Sequence, residues 1–332
     1  MKKSRLTQYA CVLWAFLLVG ATPQRNDGLV FVSNEWSHDV SVIDIASRRV
    51  VATIPVGFRV RGIQSSPDGR TVYAATSEMN LKERTGAAGI VAIDVASRRV
   101  TTRYPAGTDP EQFAVSPDGK RLYISNEDAG AVSVLDLAKR SLVSTATVGV
   151  EPEGVAVSPD GRWVYVTSET SSTVSVVDTR TGHVVSTFLV DTRPRAAAFS
   201  PNGRRAYVTS ETGGTVSLVD PARRVVKLRA RIGDGNRKPV GVVVSPSGAR
   251  IYVAAGHGSS VSVLDGATLR LIATIPVGKR PWGLARTHNG ALLFSANGLS
   301  NSVSEIDTKT NRVIATIPVG NRPWGVAVVE RR

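Results

Sequence analysis

Charged and aromatic side chains recur at one fixed place in this chain, on either side of a slot that usually holds proline. The residue before the slot reads Arg59, Asp109, Glu151, Arg193, Lys238, Arg280 and Arg322; the residue after it reads Arg61, Glu111, Glu153, Arg195, Val240, Trp282 and Trp324. Guanidinium groups brought together suit an anion, because each offers a planar fork of donors matched to a carboxylate. Trp282 and Trp324 add flat faces for stacking or cation–π contact. Asp109, Glu111, Glu151 and Glu153 form an acidic arc with two readings: opposite partners for the neighbouring arginines, or oxygen ligands for a hard cation such as calcium. Glu127, Glu169, Glu211 and His257 stand in a second recurring place, a polar loop.

Enzymatic chemistry is harder to place. The single cysteine, Cys11, lies in the leader described below, and the four histidines, His38, His183, His257 and His288, include no pair at a metal-ligand spacing. The aspartates of the Pro-Asp-Gly and Val-Ser-Val-Ile-Asp phrases recur in nearly every repeat, as turn-building residues do. No catalytic constellation stands out, so the residues predict a protein that binds rather than catalyses. In the alternative, Glu111 or Glu153 activates water in a hydrolase.

What must position these residues is a repeat. The phrase beginning at Val40 and ending at Asp44 returns with aspartates at Asp94, Asp136, Asp178, Asp220, Asp265 and Asp307, mostly 42 residues apart. Each unit holds four short, β-branched runs with alternating apolar residues, separated by turn signals, which predicts a four-stranded antiparallel blade. Seven units predict an all-β, seven-bladed β-propeller over residues 28–332. The chain begins its first blade at Gly28 with a second strand and ends with a first strand from Trp324, so pairing of the terminal strands is expected to close the ring. In a propeller the link between blades and the loop between second and third strands share a face. The proline-slot residues and the Glu127, Glu169, Glu211 and His257 loops therefore belong together at one channel mouth. Two length changes, in Glu78–Gly89 and in Arg231–Lys238, fall on the same face.

Lys2, Lys3 and Arg5 precede an apolar run ending in Val19-Gly20-Ala21, which predicts a secretory signal peptide over residues 1–21 and a linker over 22–27. Cleavage leaves no transmembrane segment and no thiol, and it points to the periplasm. With 41 Lys and Arg against 27 Asp and Glu, the net charge is +14. For a secreted chain that favours an anionic small molecule, an acidic protein or an anionic envelope surface over nucleic acid. A structural envelope protein is a further alternative.

Tyr165-Val-Thr-Ser168 and Tyr207-Val-Thr-Ser210 resemble the YVTN-type seven-bladed propellers. Asp109-Pro-Glu-Gln-Phe113, Ser125-Asn-Glu127, Glu151-Pro-Glu-Gly154, Arg193-Pro-Arg195, Ser210-Glu-Thr-Gly-Gly214 and Arg280-Pro-Trp282 resemble, more narrowly, the β-propeller proteins associated with PQQ-dependent catabolism. That resemblance implies a periplasmic accessory to quinoprotein alcohol oxidation, with PQQ as a candidate ligand and a PQQ-dependent dehydrogenase as a candidate partner. It supplies no catalytic mechanism. Similar frames also carry lactonases, which gives the hydrolase alternative its substrate class.

Overall fold

The computed structural model describes residues 27–78, 88–233 and 236–330. The expected leader, residues 79–87 of the long second-blade loop and residues 234–235 of the Arg231–Lys238 link lie outside the described residues. Twenty-eight strands, numbered β1 to β28 in chain order, make seven four-stranded antiparallel sheets. This is the seven-bladed propeller that the repeat predicts.

Alternation explains why the blades stack. In β1 (Gly28–Asn34), Leu29 and Phe31 pack toward the following blade, while Val30 and Val32 pack toward the preceding one. Every second and third strand is apolar on both faces for this reason, and seven separate hydrophobic clusters result, one at each junction between blades. Fourth strands such as β3 (Arg49–Pro55) are mostly exposed and carry the polar residues.

The recurring aspartates build turns. Asp94 accepts a hydrogen bond from the Ser97 backbone at 2.8 Å, and Asp68 accepts from the Ser66 hydroxyl at 2.6 Å. Hydrogen bonding, led in each case by the serine hydroxyl, holds both carboxyls below their ordinary value. Closure is as expected: β28 (Pro323–Glu330) pairs with β1, with Leu29 opposite Val329 and Val32 opposite Val326. A clasp crosses the same junction, where Arg48 of the first blade meets the buried Glu305 of the last at 3.0 Å.

First strands line the central channel. Ile63, Gln64, Gln112, Gly154, Gly241 and Trp324 are among the residues around a channel cavity of about 300 Å³. Glycine is required where these strands crowd together, since a Cβ on Gly283 would lie 2.6 Å from the Trp324 carbonyl oxygen.

Candidate active site

Each first strand enters the channel from the mouth through the same backbone device. The residue before it takes a left-handed conformation, from φ 37° at Arg59 to φ 59° at Arg193. The strand then slips register by a β-bulge at its first residues. In β12 (Pro152–Val157), Pro152 faces Ser168 and the next paired residue is Val155, so Glu153 falls in the bulge. The bulge in β16 (Pro194–Phe199) takes Arg195, that in β24 (Pro281–Arg286) takes Trp282, and that in β28 takes Trp324. A bulge bends the strand and re-aims the side chain it carries. Hydroxyls on second strands then fix the backbone of the adjoining blade: Ser33 Oγ donates to the Arg61 carbonyl at 2.5 Å, and Ser125 Oγ donates to the Glu153 carbonyl at 2.7 Å.

The side chains so aimed sort into two charged clusters. In one, Arg61 pairs with Glu35 at 2.9 Å and with the fully buried Glu111, while Arg59 lies 3.4 Å from Asp109 and 3.5 Å from Glu35. In the other, Arg195 pairs with Glu153, with Glu169 and, at 2.6 Å, with Glu211. Arg193 adds a bond to Glu169 at 2.7 Å, and Arg280 reaches Glu211 at 3.2 Å. Burial alone would raise the Glu211 carboxyl, but Arg195, Arg280 and Arg193 together bring it below its ordinary value. Burial opposes the charge on Arg195, and Glu153 and Glu211 restore it and raise its pKa. At Arg280 burial wins, and its pKa is lowered despite Glu211. Burial and the adjacent Arg280 and Lys238 likewise lower the pKa of His257.

Glu127 stands between the clusters. Of the four carboxylates lining the mouth cavity, Glu35, Glu127, Glu153 and Glu169, it alone makes no ion pair among the described residues. Burial, then the negative charges of Glu153 and Asp109, push its pKa up to about 7, only partly offset by Arg61 and Arg59. The cavity itself holds about 360 Å³. Trp282 and Trp324 line its other side with ring centroids 5.7 Å apart, and the Arg280 guanidinium lies 4.6 Å from the Trp282 ring. Arg322, also in the wall, stacks 4.2 Å over Trp36 and has no carboxylate partner among the described residues.

Most of the residues expected at the mouth therefore meet there: Arg59, Arg61, Glu127, Glu153, Glu169, Arg193, Arg195, Arg280, Trp282, Arg322 and Trp324 line one cavity. Lys238, Asp109, Glu111, Glu151, Glu211 and His257 do not line it, although Asp109, Glu111 and Glu211 support residues that do. The sequence reading missed Glu35 and Trp36. The signal was available, because Ser33-Asn-Glu35 repeats as Ser125-Asn-Glu127 at the same place in the blade. Glu111 and Glu153, expected as water activators, are buried and paired with Arg61 and Arg195.

Asp109, Glu111 and Glu127 bring one carboxylate oxygen each within 4.8 Å of one another. A calcium ion needs six to eight oxygens, and here Arg59 and Arg61 already supply positive charge to Asp109 and Glu111. An ion would have to displace Arg61 from Glu111.

The profile of the family "Lactonase, 7-bladed beta-propeller" matches residues 190–316, and that of "Cytochrome D1 heme domain" matches residues 92–194. The second stretch contains one histidine, His183, exposed in a turn on the face opposite the mouth, and no methionine. It therefore brings no haem ligand of either kind to this site. No curated protein matches the chain. Among solved structures, a chain of Kuenenia stuttgartiensis hydrazine synthase is similar, at 21% identity, 89% coverage of this chain, 99% of that chain and a TM-score of 0.76. A proposed 6-phosphogluconolactonase from Bacteroides fragilis is similar at 17% identity, covering 93% of this chain and all of the other, with a TM-score of 0.75. One from Bacteroides uniformis gives 18% identity, 92% and 100% coverage and a TM-score of 0.77. At these identities the structures establish the shared fold. The expectation of a scaffold without catalysis is corrected by the lactonase family match over residues 190–316. None of the comparisons supports an association with PQQ-dependent oxidation.

Proposed function

We propose that this propeller hydrolyses the ring ester of a lactone that carries an acidic group. The observation that carries the reading is Glu127, a cavity-lining carboxylate left without an arginine partner and titrating at about 7. A general base works best with a pKa near the operating pH. Ionised Glu127 takes a proton from water as the water oxygen attacks the lactone carbonyl. Arg59 and Arg61, whose charges already act on Glu127, face the oxyanion that develops. The ring C–O bond then breaks, the proton held by Glu127 passes to the departing alkoxide, and a hydroxy acid results. Across the cavity, Arg322 and Arg280 hold the substrate's carboxylate or phosphate, and Trp282 and Trp324 supply a wall for its ring.

The lactonase match and the Bacteroides propellers support this reading from outside the site. A panel of lactones with and without an acidic substituent tests it. Turnover should favour the acidic members, rise with pH through about 7, persist in the presence of a chelator, and fall by about 10²–10⁴ in Glu127→Gln. Absence of turnover across the panel, or an unimpaired Glu127→Gln enzyme, would remove it.

A further inference from the structure

The seven blades are copies of one design, so a strand that departs from its copies identifies itself. The outermost strand of the fifth blade, β19 (Val225–Arg231), carries Lys227, Arg229 and Arg231. Arg229 faces Ser217 of β18 (Thr215–Asp220), and in five other blades the residue in that register is threonine: Thr53, Thr145, Thr187, Thr274 and Thr316; in the second blade it is Arg103, whose guanidinium is spent on the Val56 carbonyl at 2.8 Å. Lys227 occupies the bulge that elsewhere holds Val51, Thr101, Val143, Val185, Ile272 or Ile314. All three cations are exposed, and none makes an ion pair among the described residues. β19 pairs with β18 on one side only, and no described strand pairs with its other edge.

We infer that β19 is a docking edge for an extended, acidic segment of a partner protein, which adds to the fifth blade as a further strand. Two features choose this occupant. Arg229 and Arg231 stand at alternate positions, about 6.6–6.8 Å apart along the strand, and Lys227, in the bulge, extends the row of exposed cations. An added strand has the same repeat, so acidic residues at its alternate positions fall opposite the cations, where cross-strand pairs of opposite charge are favourable. Meanwhile the like charges of two β19 strands would face each other in a self-pairing, which excludes a second copy as occupant. No aromatic side chain interleaves the row to stack on bases, and the stretch lies away from the channel mouth.

The test is fluorescence anisotropy with a labelled peptide of alternating glutamate and valine. The comparison protein carries Lys227→Val, Arg229→Thr and Arg231→Thr, which gives β19 the residues that β11 (Ser141–Thr147) bears at Val143, Thr145 and Thr147 and so preserves the blade. The peptide should bind saturably to the native chain and at least about tenfold more weakly to the triple variant. The same peptide with alternate backbone nitrogens methylated, unchanged in charge but unable to pair as a strand, should not bind. Lack of binding by the alternating peptide, equal binding to the triple variant, equal binding of the methylated peptide, or tighter binding of the linear polysaccharide polygalacturonate would each overturn the assignment.

Discussion

At the scale of single residues, one proton separates Glu127 from its neighbours. Burial comes first and Glu153 and Asp109 second in lifting its carboxyl from 4.5 to about 7. The folded chain therefore holds this proton more tightly than the unfolded chain. Below the unfolded value both states are protonated and nothing is lost. Between about 4.5 and 7 the unfolded state ionises first, so native stability falls as pH rises, and above about 7 the penalty is constant. Glu127→Gln lacks the titration. Its melting temperature minus that of the native chain should grow from pH 4.5 to 7 and then level off, by a small amount because the carboxyl is partly solvated. A difference independent of pH in paired thermal melts would mean that Glu127 is not perturbed as described. This residue also marks the limit of what the sequence discloses. Spacing placed Glu127, Glu153 and Arg195 at one mouth, but nothing in the spacing says which carboxylate receives an arginine. That choice is made by distances of a few ångströms between blades, which is why the sequence placed water activation on Glu111 or Glu153 and not on Glu127.

Among strands, the site depends on how one blade grips the next. Ser125 of β9 (Arg121–Asn126) accepts the Gln112 N–H at 3.1 Å and donates to the Glu153 carbonyl of the following blade at 2.7 Å. Its hydroxyl is fully buried, so Ser125→Ala leaves polar backbone groups without replacement by water and should cost about 1–3 kcal/mol in urea unfolding. A cost within measurement error would show that the bulge in β12 keeps its place without this bond. The strands themselves were legible: alternating β-branched runs, Pro-Asp-Gly turns and a period near 42 fix seven blades before any coordinate is known. The bulges were not, because a one-residue slip in pairing leaves composition and alternation almost unchanged. Yet the bulges decide that Arg61, Glu111, Glu153, Arg195, Trp282 and Trp324 turn toward the mouth. The singular charge of β19 was legible only in retrospect, once register showed that threonine is the usual residue opposite serine.

For the molecule as a whole, no single core exists to hold the ring together. Stability is divided among seven junctions, each with its own apolar cluster, and a ring built this way is only as closed as its weakest junction. The junction that joins the chain ends is made by β28, which supplies Val326 to the cluster shared with the last blade and Ala327 and Val329 to the cluster shared with the second. The same strand brings Arg322 and Trp324 to the cavity, so closure and site are one structural event. A chain ending at Gly320 loses the β1–β28 ladder, leaves β1 as a bare channel strand and exposes both faces of two clusters. Burial of Trp324, Val326 and Val329 is worth about 1.5–3 kcal/mol each, a sum comparable to the whole stability of a typical domain. The shortened chain should therefore melt far below the full-length protein, or fail to fold, and should lose the mouth cavity with it. If it instead melts within about a degree of the full-length protein, at the scale where one kcal/mol moves a midpoint by several degrees, the Arg48–Glu305 clasp and the remaining strands suffice to shut the ring.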